Sequence, residues 1–171
     1  MEAVLRVILA ASVAALGLTG CVTSNSGDTI LALPADRAAN ASVGEIVLTG
    51  APDTVSPAFA TVFQREVRER LSECARGDSA LRMEVRVTEL QTSNPAMTYF
   101  AGGSNVIRAQ VALIEPATGA KVGDYEVSRS VGGGGLVAAL ALAEAEEQMS
   151  RELATDVCER AFGESPYRRR R

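Results

Sequence analysis

The chain has 171 residues, 47% of them apolar, with 17 basic against 21 acidic side chains and a net charge of −4. That apolar share excludes a chain too polar to bury a core, and the acidic balance argues against a nucleic-acid binder, whose electrostatic footprint is basic. There is no histidine, which removes His-based triads, Cys-His dyads and imidazole metal ligands together; the expectation is a protein that is not an enzyme and uses no cofactor or metal.

At the front of the chain Arg6 adds one positive side chain, and Val7 to Leu18 is apolar or small throughout. That run is shorter than the ~20 residues of a spanning helix, so residues 1–20 read as a secretory signal. Its end, Leu18-Thr19-Gly20-Cys21, resembles the bacterial lipobox, the Leu-x-Gly-Cys pattern cut by lipoprotein signal peptidase. The resemblance implies that the Cys21 thiol carries diacylglycerol and that the amine exposed by cleavage is acylated. Each buried methylene is worth ~0.8 kcal/mol, so an anchor of two or three chains is effectively permanent. Residue 22 is Val, not the Asp that favours inner-membrane retention in the enterobacterial sorting rule. The resemblance therefore implies an outer-membrane anchor with the polypeptide on the periplasmic face.

Residues 21–42 mix Ser, Asn, Ala, Gly and Asp around one apolar patch, Ile30 to Leu33, and read as the lipidated cysteine and a tether. Residues 43–163 read as one folded α+β domain. Val43 to Thr49 is β-rich and bounded by Gly50 and Pro52. Ser56-Pro57 predicts a helix start, and Phe59, Val62, Phe63, Val67, Leu71 and Cys74 recur at helical spacing, with Arg65, Glu66, Arg68 and Glu69 on the outer face. Leu81, Met83, Val85 and Val87 alternate with Arg82, Glu84, Arg86 and Thr88, and Ile107, Ala109, Val111 and Leu113 repeat the period with their side chains inward, giving two half-buried strands. A three-residue loop of Ala117, Thr118 and Gly119 then leads into Lys121 to Val131, with Val111 opposite Tyr125 and Gln110 opposite Glu126. Leu136 to Phe162 predicts a long helix with Leu142, Ala145, Met149, Leu153, Val157 and Ala161 on one stripe. The pairs Glu147–Arg151 and Asp156–Arg160 have the favourable four-residue spacing. Residues 164–171 form a basic tail.

The order β-α-β-β-β-α predicts a four-stranded, mostly antiparallel sheet with two helices on one face and a polar opposite face. The hairpin "VALIEPATGAKVGDYEV" followed by a long helix resembles the small periplasmic domains of bacterial envelope lipoproteins. Among these are auxiliary lipoproteins of lipid transporters, the curli-export lipoprotein and peptidoglycan-synthase activators; the TolB amino-terminal domain is similar. The resemblance implies adaptor or binding roles and not catalysis.

With Cys21 lipidated, Cys74 and Cys158 remain, an even number in an oxidising compartment. They would meet as a disulfide if the two helices run parallel on the sheet; the alternative is two separate buried thiols. Gly132 to Gly135 lacks the Gly-Lys-Ser/Thr of a phosphate cradle and reads as a strand-to-helix joint. Gly102-Gly103-Ser104 lacks the spacing of a nucleophile elbow, Glu144, Glu146 and Glu147 read as a solvated helix face, and no calcium loop is present. Three features suit binding. Gln91 to Ser104 carries Met97, Tyr99 and Phe100 between turn formers, and long irregular loops are often functional. Residues 136–143, "LVAALALA", are apolar on every side, so Leu136 and Val137 are second-rank contact candidates. Arg168 to Arg171 could meet anionic head groups or polymers. The expected function is an anchored adaptor or assembly component with an envelope protein partner. The alternative is a lipid or glycan binder with a cavity lined by Phe59, Phe63, Met149 and Leu153.

Overall fold

The computed structural model describes residues 22–136, 138 and 144–163. Its strands are β1 (Val22–Ser26), β2 (Thr29–Leu31), β3 (Ala41–Gly50), β4 (Ser79–Gln91), β5 (Gly103–Ile114) and β6 (Lys121–Gly133). Among the described residues there are four helices, α1 (Ala35–Asn40), α2 (Phe59–Leu71), α3 (Pro95–Ala101) and α4 (Ala145–Ala161). The sheet order is β1-β6-β5-β4-β3, with β2 also on β6, and all pairs are antiparallel except β3 with β4. The expected β-α-β-β-β-α series is present as β3-α2-β4-β5-β6-α4. The sheet has six strands rather than four, however, and α1 and α3 are additional helices.

The extra strands arise where a tether was expected. Val22 pairs with Gly132, Ser26 with Ser128 and Thr29 with Tyr125, and Leu33 is buried in the core. Every side chain of β1 is exposed, so no alternation marks it as a strand. Its pairing satisfies the backbone groups along the edge of β6, which a reading of side chains does not register.

The core forms between one sheet face and the helices. Met83 and Val85 of β4, Ile107, Val111 and Leu113 of β5 and Tyr125 of β6 are fully buried against Phe63 and Val67 of α2 and Met149, Leu153 and Val157 of α4. The period-two pattern of the strands and the three-to-four-residue spacing of the helices place these residues on facing surfaces. Glu84, Arg86, Arg108 and Gln110 occupy the opposite face, which carries the ion pairs Arg82–Glu84 and Arg108–Glu89.

The β5–β6 hairpin has the expected register, Val111 opposite Tyr125 and Gln110 opposite Glu126. Its loop is longer by one residue than expected. The Glu115 N–H donates to the Ala120 carbonyl at 2.9 Å and encloses Pro116 to Gly119, and a register shift beside Ile114 absorbs the odd residue. Gly119 has φ +71°, the left-handed conformation that favours glycine.

Two helix expectations are corrected. Ser56-Pro57 does not cap α2 directly. It opens a turn in which the Phe59 N–H donates to the Ser56 carbonyl at 3.0 Å, while the Ser56 hydroxyl donates to Glu146 at 2.7 Å. The expected long helix is not continuous: Gly135, Leu136 and Ala138 are helical, Glu144 is a bend with φ −97° and ψ 54°, and α4 starts at Ala145. Leu142 of the expected stripe lies outside the described residues. Ala145, Met149, Leu153, Val157 and Ala161 are all buried, as their spacing requires.

Candidate functional site

The segment expected to be an irregular loop contains α3, which stands at the end of the sheet where β4 gives way to β5. Asn94 is its N-cap: the side-chain oxygen accepts from the Ala96 and Met97 N–H groups at 2.9 and 3.3 Å, with Pro95 in the first turn. Gly102 ends the helix at φ +82°. Asn-Pro before and Gly after are helix start and stop signals, so the helix could have been read from sequence.

Thr98 turns inward and is fully buried, its hydroxyl donating to the Asn94 carbonyl at 3.0 Å. Gly103 lies so close to α3 that a Cβ there would stand 2.3 Å from the Thr98 hydroxyl. The buried Asn105 accepts from the Ser93 N–H at 2.8 Å and donates to Gln148 at 3.3 Å, tying the start of α3 to the start of α4. This base holds the outward residues in place. Met97 is 58% exposed, Tyr99 49% and Phe100 81%, and the Tyr99 and Phe100 rings meet edge to face at 4.8 Å. Gly134 packs against the end of α3, 3.7 Å from the Gly102 Cα when given a Cβ, and two residues on Leu136 is 61% exposed. The structure thus brings Met97, Tyr99, Phe100 and Leu136 to one end of the sheet. Val137 lies outside the described residues, as do Cys21 with the signal segment, and the tail from residue 164.

The two cysteines are joined as Cys74–Cys158, with Cα atoms 5.7 Å apart. Cys158 lies in α4 and Cys74 in the turn just after α2. The two helices run parallel, because successive contacts climb both chains together: Arg65 with Glu147, Arg70 with Thr155, and then the disulfide. Glu66, expected on the outer face of α2, is instead buried between the helices and accepts from Arg151 at 2.6 Å and Arg65 at 2.9 Å. The bonded Arg151 guanidinium, with help from Arg65 against the cost of burial, holds the Glu66 carboxyl below its ordinary pKa. Burial pushes the neighbouring Glu152 the other way, and Arg129 offsets part of that rise. Of the two expected pairs within α4, Asp156–Arg160 forms, whereas Glu147 and Arg151 both turn across to α2.

An ionic cluster at the far end of α4 was not anticipated. Asp156 is fully buried and meets Arg129 and Arg160; Arg129 also donates to Glu159 at 2.7 Å. Arg160 reaches on to the Gly27 carbonyl and the Asn25 side chain, each at 2.8 Å, and so clasps β1 to the body. Nothing in the spacing of Arg129 and Asp156 signals their contact, since they lie on different elements. Phe59, Phe63, Met149 and Leu153, the proposed lining of a ligand cavity, are packed into the core. A hollow of about 570 Å³ lies instead on the polar sheet face, among Thr49, Glu84, Arg86, Gln110, Lys121 and Asp124.

Fold and site define an α+β sheet-and-helix domain, disulfide-linked, with an exposed apolar end. No family model and no curated protein matches the sequence. Among solved structures, the PelC dodecamer from Paraburkholderia phytofirmans is similar to it with a TM-score of 0.45 and 14% identity, over 82% of this chain and 99% of that one. A candidate lipoprotein from Caulobacter crescentus CB15 is similar with a TM-score of 0.42 and 15% identity, over 66% of this chain and 84% of the other. These values describe a partial likeness in chain path, and no role or assembly is carried over from them.

Proposed function

We propose that this chain is a lipid-anchored protein of the bacterial outer membrane that acts without catalysis as an adaptor or assembly component, and that Met97, Tyr99, Phe100 and Leu136 form its contact surface. The observation that carries the reading is the exposure of Met97, Tyr99 and Phe100 on a base locked by Asn94, Thr98 and Asn105, with Leu136 exposed at the same end of the sheet. Contiguous apolar surface held rigidly in the open is the usual mark of an interaction site. The Leu18-Thr19-Gly20-Cys21 motif supplies the anchor, and the Cys74–Cys158 bridge suits an oxidising compartment. Anchoring raises the effective concentration of the domain beside any membrane-bound partner.

The test is photo-cross-linking in living cells from a probe at position 99, with mass analysis of residue 21 in the same material. A defined adduct and an acylated thiol are expected. A full-length product that is free in solution, with an unmodified thiol and no adduct, overturns the reading.

A further inference from the structure

We infer that the occupant of this apolar end is the bilayer surface itself, so that α3 and Leu136 seat the domain in the membrane in a fixed orientation. This rests on the proposed anchoring through Cys21 and adds to it the identity of the contact. The first support is chain order. Val22, the residue joined to Cys21, pairs with Gly132, and Gly132 pairs with Ser104 on the next strand, directly after the end of α3. Consecutive Cα atoms are about 3.8 Å apart, so the point at which residue 21 joins the described chain lies at the same end of the sheet as the apolar residues.

The second support is charge. Residues 22–27, 91–107 and 130–136, the described segments that reach this end of β1, β4–β5 and β6, contain no charged side chain. The opposite end of the sheet carries Asp36, Arg37, Asp78, Glu115, Lys121 and Asp124. The nearby acids stand on the helix side: Asp53 and Glu144 are exposed in the β3–α2 loop and at the start of α4, while Glu146 is bonded to Ser56 and Glu147 to Arg65. The third support is side-chain type. Met, Phe and Leu insert among acyl chains, while Tyr99 has an apolar ring and a hydroxyl suited to the head-group level. With no basic residue on these segments the seat is apolar and not electrostatic, so salt should not release it.

The chain contains no tryptophan, so a single introduced indole reports its own position. Phe100→Trp and Ala117→Trp are made separately in the full lipidated protein and reconstituted in phosphatidylethanolamine–phosphatidylglycerol vesicles with brominated acyl chains. Both sites are exposed. The 12 residues of β5 separate them by roughly 35–40 Å along the sheet. An apolar face in the interface lies about 5–10 Å deep, so emission from position 100 should fall to about half or less and shift to the blue. Position 117 should be unaffected, and the difference should persist at high salt. Equal emission at the two sites, whether both quenched or both unquenched, overturns the inference. An unquenched position 100 together with a defined protein adduct at position 99 overturns the membrane seat but leaves the contact surface standing. An unacylated residue 21 overturns both.

Discussion

Tyr125 shows how one side chain links the amino-terminal segment to the core. Its ring is fully buried on the inner face of the sheet, and its hydroxyl accepts from the Leu33 N–H at 2.8 Å. Burial pushes the phenol above its ordinary pKa, so it stays neutral and hydrogen-bonded. Tyr125→Phe leaves a buried N–H without a partner and is expected to cost about 1–2 kcal/mol in urea unfolding; an unchanged midpoint would mean that Leu33 is not held this way. Glu66 gives a pH-dependent case. Its folded pKa is depressed, so its stabilisation is present above the unfolded carboxylate value of about 4.3 and is lost as pH falls through the lower folded value. Glu66→Gln should therefore unfold earlier than the parent at neutral pH. The two should converge as pH falls below the ordinary carboxylate range and the parent's own carboxyl is protonated. A gap that stays constant across that range would assign the effect to packing.

At the scale of elements, the parallel contact of α2 and α4 determines where the cysteines fall. Arg65–Glu147, Glu66–Arg151 and Arg70–Thr155 align the helices below the bridge. The bridge spans 84 residues, a loop whose closure contributes up to ~4 kcal/mol in the chain-entropy model and often about half that in practice. The double variant Cys74→Ala/Cys158→Ala should lose about 2–4 kcal/mol of unfolding free energy. It should also be insensitive to reductant, whereas the parent should weaken when reduced. If parent and variant unfold together under oxidising conditions, the bridge is not formed in solution. The same helix pair accounts for the correction at Glu147 and Arg151. Their four-residue spacing permits a contact within α4, but partners on α2 reach the same groups across a half-buried interface, where a charged hydrogen bond is stronger than on a solvated face.

At the scale of the whole molecule, chemistry is distributed by region. The helices and one sheet face enclose the core, the other sheet face is polar, and the β1–α3 end exposes apolar side chains, with acids beside it on the helix side. Tyr99→Ser/Phe100→Ser removes apolar surface that contributes little to the core, so its melting temperature should stay within about 2 °C of the parent, as for other exposed substitutions. Its capture of a partner or membrane should weaken. A large fall in melting temperature would instead make the two rings part of the core.

The sequence by itself determined the inward and outward faces of β4, β5 and β6, the register at Val111–Tyr125 and the buried stripe from Ala145 to Ala161. Each follows from a local period of two or of three to four, which a single strand or helix carries alone. It also singled out Met97, Tyr99 and Phe100 as contact candidates in a long segment between turn formers, and Leu136 and Val137 as second candidates in a run that is apolar on every side. Only the tertiary structure decided that residues 22–33 add two strands, that Asp156 meets Arg129, and that Glu66 is enclosed between two helices. Those outcomes depend on groups brought together from distant parts of the chain: an open strand edge, a guanidinium on another element, a neighbouring helix. The same folding places Val22 beside Gly132, and with it the start of the domain at the end that bears Phe100.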